Sequence, residues 1–202
     1  MKTAKCLLLV LGGARSGKSS YAERRAAEMA ADGAVLYVAT AQAFDKEMKQ
    51  RIAAHQMSRP ATWRTLEEPL RVAEVVAAEL ARADAAVVLV DCLTLWASNM
   101  LLQNGDDVPD ATAVETEAFA ALDALLAVYA ASHASTIVVS NEVGMGLVPP
   151  YPLGRIYRDL LGRLNARLAA QADEVVLMIA GLPLTIKTPS DAVPRSPTND
   201  PF

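Results

Sequence analysis

Eight residues near the start of the chain, Gly12, Gly13, Ala14, Arg15, Ser16, Gly17, Lys18 and Ser19, fit the spacing G-x-x-x-x-G-K-S. An apolar run precedes them and a helix-forming stretch follows, the context that makes this spacing a phosphate-binding loop. Backbone N–H groups and the positive end of the helix can surround a triphosphate. Lys18 would reach its terminal phosphates, and the Ser19 hydroxyl would ligate Mg2+ accompanying GTP or ATP. The motif implies nucleoside triphosphate binding.

Other residues extend this chemistry. Asp91 closes an apolar run, Val87-Val88-Leu89-Val90, and three readings stand for it. It can organise Mg2+ in phosphoryl transfer, cap the helix that follows, or recognise a purine edge. His55 lies between Arg51 and Arg59 in a pattern R-I-x-x-H-x-x-x-R-P. Two flanking cations suit phosphate and favour neutral imidazole, a competent nucleophile toward phosphorus; a solvated helix-end histidine is the plainer alternative. His133, in a turn, carries no such pattern. Asn141-Glu142 followed by Gly144 and Gly146 reads either as a ligand-sensing loop or as an ordinary strand-to-helix turn. Arg155, Arg158, Arg163 and Arg167 share a helix, where a solvated face outweighs a phosphate site.

These residues need strands to hold them. Cys6–Leu11, Val35–Ala39, Ala86–Val90, Thr136–Ser140, Glu174–Ala180 and Leu184–Lys187 read as strands, and Lys18–Ala31, Glu47–His55, Arg71–Arg82, Ala111–Ala131 and Leu153–Ala170 as helices. Alternation of this kind implies a parallel sheet covered on both faces. The expected fold is α/β, a P-loop NTPase-like three-layer sandwich with a mostly parallel central sheet. Residues 1–187 form its one domain, and 188–202, with four prolines, a disordered tail.

Composition narrows the possibilities. A chain of 202 residues with net charge −4 is long enough for one core and too acidic to wrap nucleic acid. No apolar run approaches the roughly 20 residues of a membrane span, although mean hydropathy is +0.21, and no signal-peptide pattern is read at the amino terminus. Cys6 and Cys92 read as small buried residues of a reducing, cytoplasmic setting, not as a disulfide or zinc site.

The motifs occur in one order: Gly12–Ser19, Tyr37-Val38-Ala39-Thr40-Ala41-Gln42, Arg51-Ile52 with His55 and Arg59-Pro60, Trp63–Glu67, Val90–Thr94, Asn141–Gly144, Gly162–Asn165 and Ala180–Pro183. That series, covering about Leu7 to Lys187, resembles the bifunctional adenosylcobinamide kinase / adenosylcobinamide-phosphate guanylyltransferase family of cobalamin biosynthesis. The resemblance implies a corrinoid substrate, phosphorylated with ATP or GTP and then joined to GMP, with adenosylcobinamide-GDP and pyrophosphate as products. It implies that His55 carries GMP, that Ala39, Thr40, Ala41, Gln56, Met57, Ser58 and Arg59 contact nucleotide, and that Glu67 and Asp91 lie on its guanine or ribose side. It also implies a homotrimer with the site between subunits.

Overall fold

The computed structural model describes residues 5–42, 60, 62–103, 105 and 109–191. Seven strands form one sheet: β1 (Leu7–Gly12), β2 (Val35–Ala39), β3 (Arg64–Glu67), β4 (Val87–Asp91), β5 (Ser135–Val139), β6 (Glu174–Ile179) and β7 (Leu182–Lys187). Their order across the sheet is β3-β2-β4-β5-β1-β6-β7. All pairings are parallel except β6 with β7, which is antiparallel. The helices are α1 (Lys18–Ala30), α2 (Val72–Arg82), α3 (Leu93–Leu102), α4 (Ala111–Ala131) and α5 (Pro152–Gln171).

Alternation along each strand divides the core between the two faces. Leu7, Leu9, Leu36, Val38, Val88, Val90 and Val138 face one way and pack with residues of α2, α3, α4 and α5. Leu8, Val10, Val35, Tyr37, Leu89, Ile137 and Val139 face the other, against Tyr21, Ala22, Ala26 and Ala30 of α1. The three-layer arrangement expected from the alternation of elements is therefore present, with continuously apolar strands because both faces are covered.

Two elements differ from the reading of the sequence. β3 is an edge strand whose residues alternate between half-buried and exposed, and its four residues lack the apolar run that marks the other strands. α3 is buried on most sides, including Leu93, Trp96, Ala97, Met100 and Leu101, so no polar face gives it a helical period. The expected helix Glu47–His55 lies outside the described residues, as does the expected tail 188–202 apart from its first four residues, where Pro189–Asp191 form a short 3-10 turn.

Side chains fix the helices at their ends. Asp110 caps α4 by accepting from the Thr112 N–H at 2.9 Å, and Lys5 donates to the Tyr129, Ala130 and Ser132 carbonyls where α4 ends. Arg25 of α1 forms a two-pronged pair with Glu174 at the start of β6, at 2.8 and 2.9 Å. This clamp holds α1, and with it Lys18 and Ser19, against the sheet.

Candidate functional site

The carboxyl ends of the parallel strands build the site. β1 stops at Gly12, whose φ is +150°, and a Cβ there would lie 2.5 Å from the Met178 carbonyl oxygen and 2.7 Å from Ser16 Oγ. Gly17, at φ +91°, then turns the chain into α1 and leaves its first turn without a side-chain cap. The loop is held from below by the Gly181 N–H, which donates to the Ser16 carbonyl at 3.1 Å. Gly13, Ala14 and Arg15 are exposed, and Ser19 is half-buried.

Lys18 is buried and its Nζ donates to the Gly13 carbonyl at 2.6 Å. Burial pulls its ammonium below the ordinary lysine value, against the opposing pull of Cys92 and Asp91. The cation thus folds back on its own loop near the Asp91 carboxylate, where phosphate oxygens could take the place of the carbonyl. Ser16 Oγ is buried with no hydrogen-bond partner among the described residues, the kind of orphan that collects at ligand sites.

Registration places a second set of groups at the same level. Ala39 pairs with Glu67 on one side and with Asp91 on the other, and Asp91 pairs with Val139. The two acidic residues stand two strands apart, about 10 Å by ordinary strand spacing. Glu67 is exposed and Asp91 half-buried. Tyr37, buried in β2, donates its hydroxyl to Asp91 Oδ2 at 2.8 Å. The helix after Asp91 has Cys92 as its N-cap residue and no side-chain cap, so the capping reading of Asp91 falls away.

Thr40 is wholly buried. Its hydroxyl donates to the Cys92 carbonyl at 2.7 Å and accepts from the Cys92 N–H at 2.8 Å, while its own carbonyl accepts from Asn99 Nδ2. The Thr40 side chain therefore locks β2 to the end of β4, and the half-buried Ala41 beside it is the more open to a ligand. Tyr37, Cys92 and Asn99 are positioning residues that motif reading did not single out as site residues. The one signal for Tyr37 is a phenol in an otherwise aliphatic strand.

The Asn141–Gly144 segment joins the same edge. The Glu142 N–H donates to the Gly12 carbonyl at 3.1 Å, the Asn141 N–H to Thr94 Oγ1 at 2.7 Å, and Asn165 Nδ2 to the Asn141 carbonyl. The helix arginines are engaged elsewhere. Arg163 pairs with Glu115 and Arg167 with Asp123 of α4, Arg158 with Asp159, and Arg155 with the carbonyls of Pro149 and Pro150. His133 is exposed on a cleft lined by α2 and α4 residues and by Asp84, at the opposite, amino end of β5. Cys6 and Cys92 are free thiols. His55, Arg51, Gln56, Met57, Ser58 and Arg59 lie outside the described residues. Among the described residues no helix is long and apolar enough to cross a membrane.

Known proteins show the same pattern. The family model described as cobinamide kinase / cobinamide phosphate guanyltransferase matches residues 8–186. A bifunctional adenosylcobalamin biosynthesis protein, CobP of Pseudomonas aeruginosa, is 48% identical over 180 residues, spanning 89% of this chain and 96% of the relative. The similarly named CobU proteins of Escherichia coli and Salmonella typhimurium are 40% and 41% identical, each over 90% of this chain and 99% of their own length. Among solved structures, the flagellar accessory protein FlaH from Methanocaldococcus jannaschii covers 93% of this chain and 80% of its own. Its TM-score is 0.51 at 14% identity, a likeness of fold.

Proposed function

The chain belongs to the cobinamide kinase / cobinamide phosphate guanyltransferase family, and on that premise we propose that one nucleotide site serves two successive transfers. In the first, the hydroxyl of adenosylcobinamide attacks the γ-phosphorus of ATP or GTP; the bond to the β-phosphate oxygen breaks and a nucleoside diphosphate leaves. In the second, an imidazole nitrogen of His55 attacks the α-phosphorus of GTP, a P–N bond forms, and pyrophosphate leaves. The substrate phosphate then attacks that α-phosphorus, the P–N bond breaks, and adenosylcobinamide-GDP is released with His55 regenerated.

The observation that carries this reading is the loop at the end of β1, with Lys18 buried beneath it beside Asp91. Gly12–Ser19 hold the phosphates. Ala39, Ala41, Glu67 and Asp91 stand along the same strand ends for the nucleoside, and Gln56–Arg59 follow His55 around it. A divalent cation fits the donors present. Among the described residues no group of three or more His, Cys, Asp or Glu could hold a metal, so phosphates and water would supply most ligands, as they do for Mg2+. Ser19, with Asp91 the nearest carboxylate candidate, would hold the ion, which when bound neutralises charge on the phosphate oxygens.

The same reading includes a homotrimer. Ile179 and the alternating Leu182, Leu184 and Ile186 of edge strand β7 are exposed, more apolar edge than a lone chain ordinarily leaves open. The stripe begins at the turn whose Gly181 supports the phosphate loop, so a neighbour seated on it would abut the site.

Incubation with α-labelled GTP tests the mechanism. Acid-labile, alkali-stable label on the protein, lost in His55→Ala, is expected. Label that persists in His55→Ala, or GMP found by mass spectrometry on another residue, overturns the role of His55.

A further inference from the structure

Between β5 and α5 the chain exposes four apolar side chains in seven residues: Leu147 is 96% exposed, Met145 81%, Val148 64% and Tyr151 59%. The segment that carries them is tied down. Its root is bonded to the phosphate loop through Glu142 and Gly12, and the Gly144 N–H donates to Glu142 Oε1. Arg155 holds the Pro149 and Pro150 carbonyls at 3.1 and 3.0 Å. Gly154 lies so close under Tyr151 and Pro149 that a Cβ there would be 2.5 Å from the Tyr151 ring and 2.8 Å from Pro149 Cβ. Fastening of this kind keeps apolar groups in water at a standing cost, which an apolar ligand would relieve.

We propose that Met145, Leu147, Val148 and Tyr151 form the seat for the corrin macrocycle of the acceptor, an inference that rests on the function proposed above. Position and chemistry both favour that occupant. The reacting hydroxyl must reach the γ-phosphate over Gly12–Lys18, so the macrocycle that carries it on a flexible arm must lie beside that loop. Residues 145–148 follow Glu142 by three to six positions, and Glu142 is bonded to Gly12, which keeps them within roughly 25 Å of Gly12. A corrin is a broad ring with a methyl-studded rim and amide arms; it offers apolar area to these side chains and hydrogen bonds to the exposed peptide groups around Gly144 and Gly146. Loose apolar contact distributed over several side chains suits a ligand whose reacting group is held elsewhere.

Steady-state kinetics of Met145→Ser, Leu147→Ser and the double variant test the seat, read together with sedimentation and thermal midpoint. Each single change is expected to raise KM for cobinamide roughly tenfold, with KM for GTP and formation of protein-bound GMP from GTP alone unchanged, and Leu147→Met is expected to restore the native KM. An unchanged KM for cobinamide in the double variant overturns the seat. A fall in sedimenting mass also overturns it, because the loop would then be an interface with a second copy. If the native chain phosphorylates no cobinamide while still binding GTP, the proposed function itself fails, and the seat with it.

Discussion

The phenol of Tyr37 donates a 2.8 Å hydrogen bond to Asp91 Oδ2 across the β2–β4 pair. Tyr37 is buried and Asp91 half-buried, so the bond turns one carboxylate oxygen inward. The charge of Asp91 reaches Lys18, where it opposes the lowering of the lysine pKa by burial. Tyr37 is a positioning residue on this account.

Removing the phenol oxygen should therefore cost more activity than stability. Water can reach Asp91 and replace part of the lost bond, so Tyr37→Phe is expected to lower unfolding free energy by about 1 kcal/mol. Turnover should fall roughly tenfold, the equivalent of about 1.4 kcal/mol of transition-state stabilisation, with a smaller change in KM for nucleotide. Urea denaturation alongside initial rates checks both; native turnover in Tyr37→Phe would show that Asp91 needs no such support.

Lys18 makes stability and triphosphate binding respond to pH in opposite senses. Burial lowers its folded pKa from 10.5, so between the lowered value and 10.5 the unfolded chain binds the extra proton, and this residue makes stability rise with pH there. Phosphates beside the ammonium favour the charged form, so triphosphate binding should take up protons at alkaline pH and weaken as pH rises. Calorimetry in two buffers of different ionisation heat reads the uptake. It should vanish in Lys18→Arg, whose guanidinium stays charged, and Lys18→Ala should lose triphosphate binding. Buffer-independent heats for the native chain would contradict the assignment.

The parts of this molecule legible in sequence are those where one physical demand dominates. Strands buried on both faces must be continuously apolar, which marks β1, β2, β4 and β5, and a glycine loop between strand and helix announces phosphate. β3 is hidden because an edge strand of four residues has little to bury, and α3 because burial on nearly all sides removes its period. The roles of Asp91 could not be separated in sequence because they depend on which neighbour its carboxylate meets. Tyr37 reaches Asp91 from 54 residues away along the chain, and only strand registration brings the two together.

Adjacent glycines of the loop should differ sharply. An added Cβ at Gly12 meets backbone, the Met178 carbonyl at 2.5 Å, in a conformation that side chains avoid; at Gly13 it meets nothing within 4 Å. Gly12→Ala is expected to destabilise by about 1–3 kcal/mol and to lose triphosphate binding as β1 shifts against β6. Gly13→Ala should remain near native in both. Denaturation curves and nucleotide titrations of the pair decide it, and equal effects would mean that motif position, not space, governs the loop.

Both thiols should be slow to react and should make the chain sensitive to alkali. Burial, then the negative charges of Asp173 and Glu174, raise Cys6 from 9.0 to about 11, with Arg25 opposing. Burial and then Asp91 raise Cys92 to about 11, against hydrogen bonds from Leu95 and Thr94. At about pH 8 roughly one folded molecule in a thousand carries either thiolate, so alkylation should run about 100-fold slower than in the denatured chain. In linkage terms a raised folded pKa contributes stability below 9.0 that is lost as pH climbs to about 11. Two thiols pull in this direction, and Tyr157, raised by burial to about 12, extends it; Lys18 alone among these pulls the other way. Net stability should fall through this range. Denaturant midpoints measured across it, with mass-resolved iodoacetamide labelling, test the balance, and a midpoint that rises with pH would show that Lys18 outweighs the thiols.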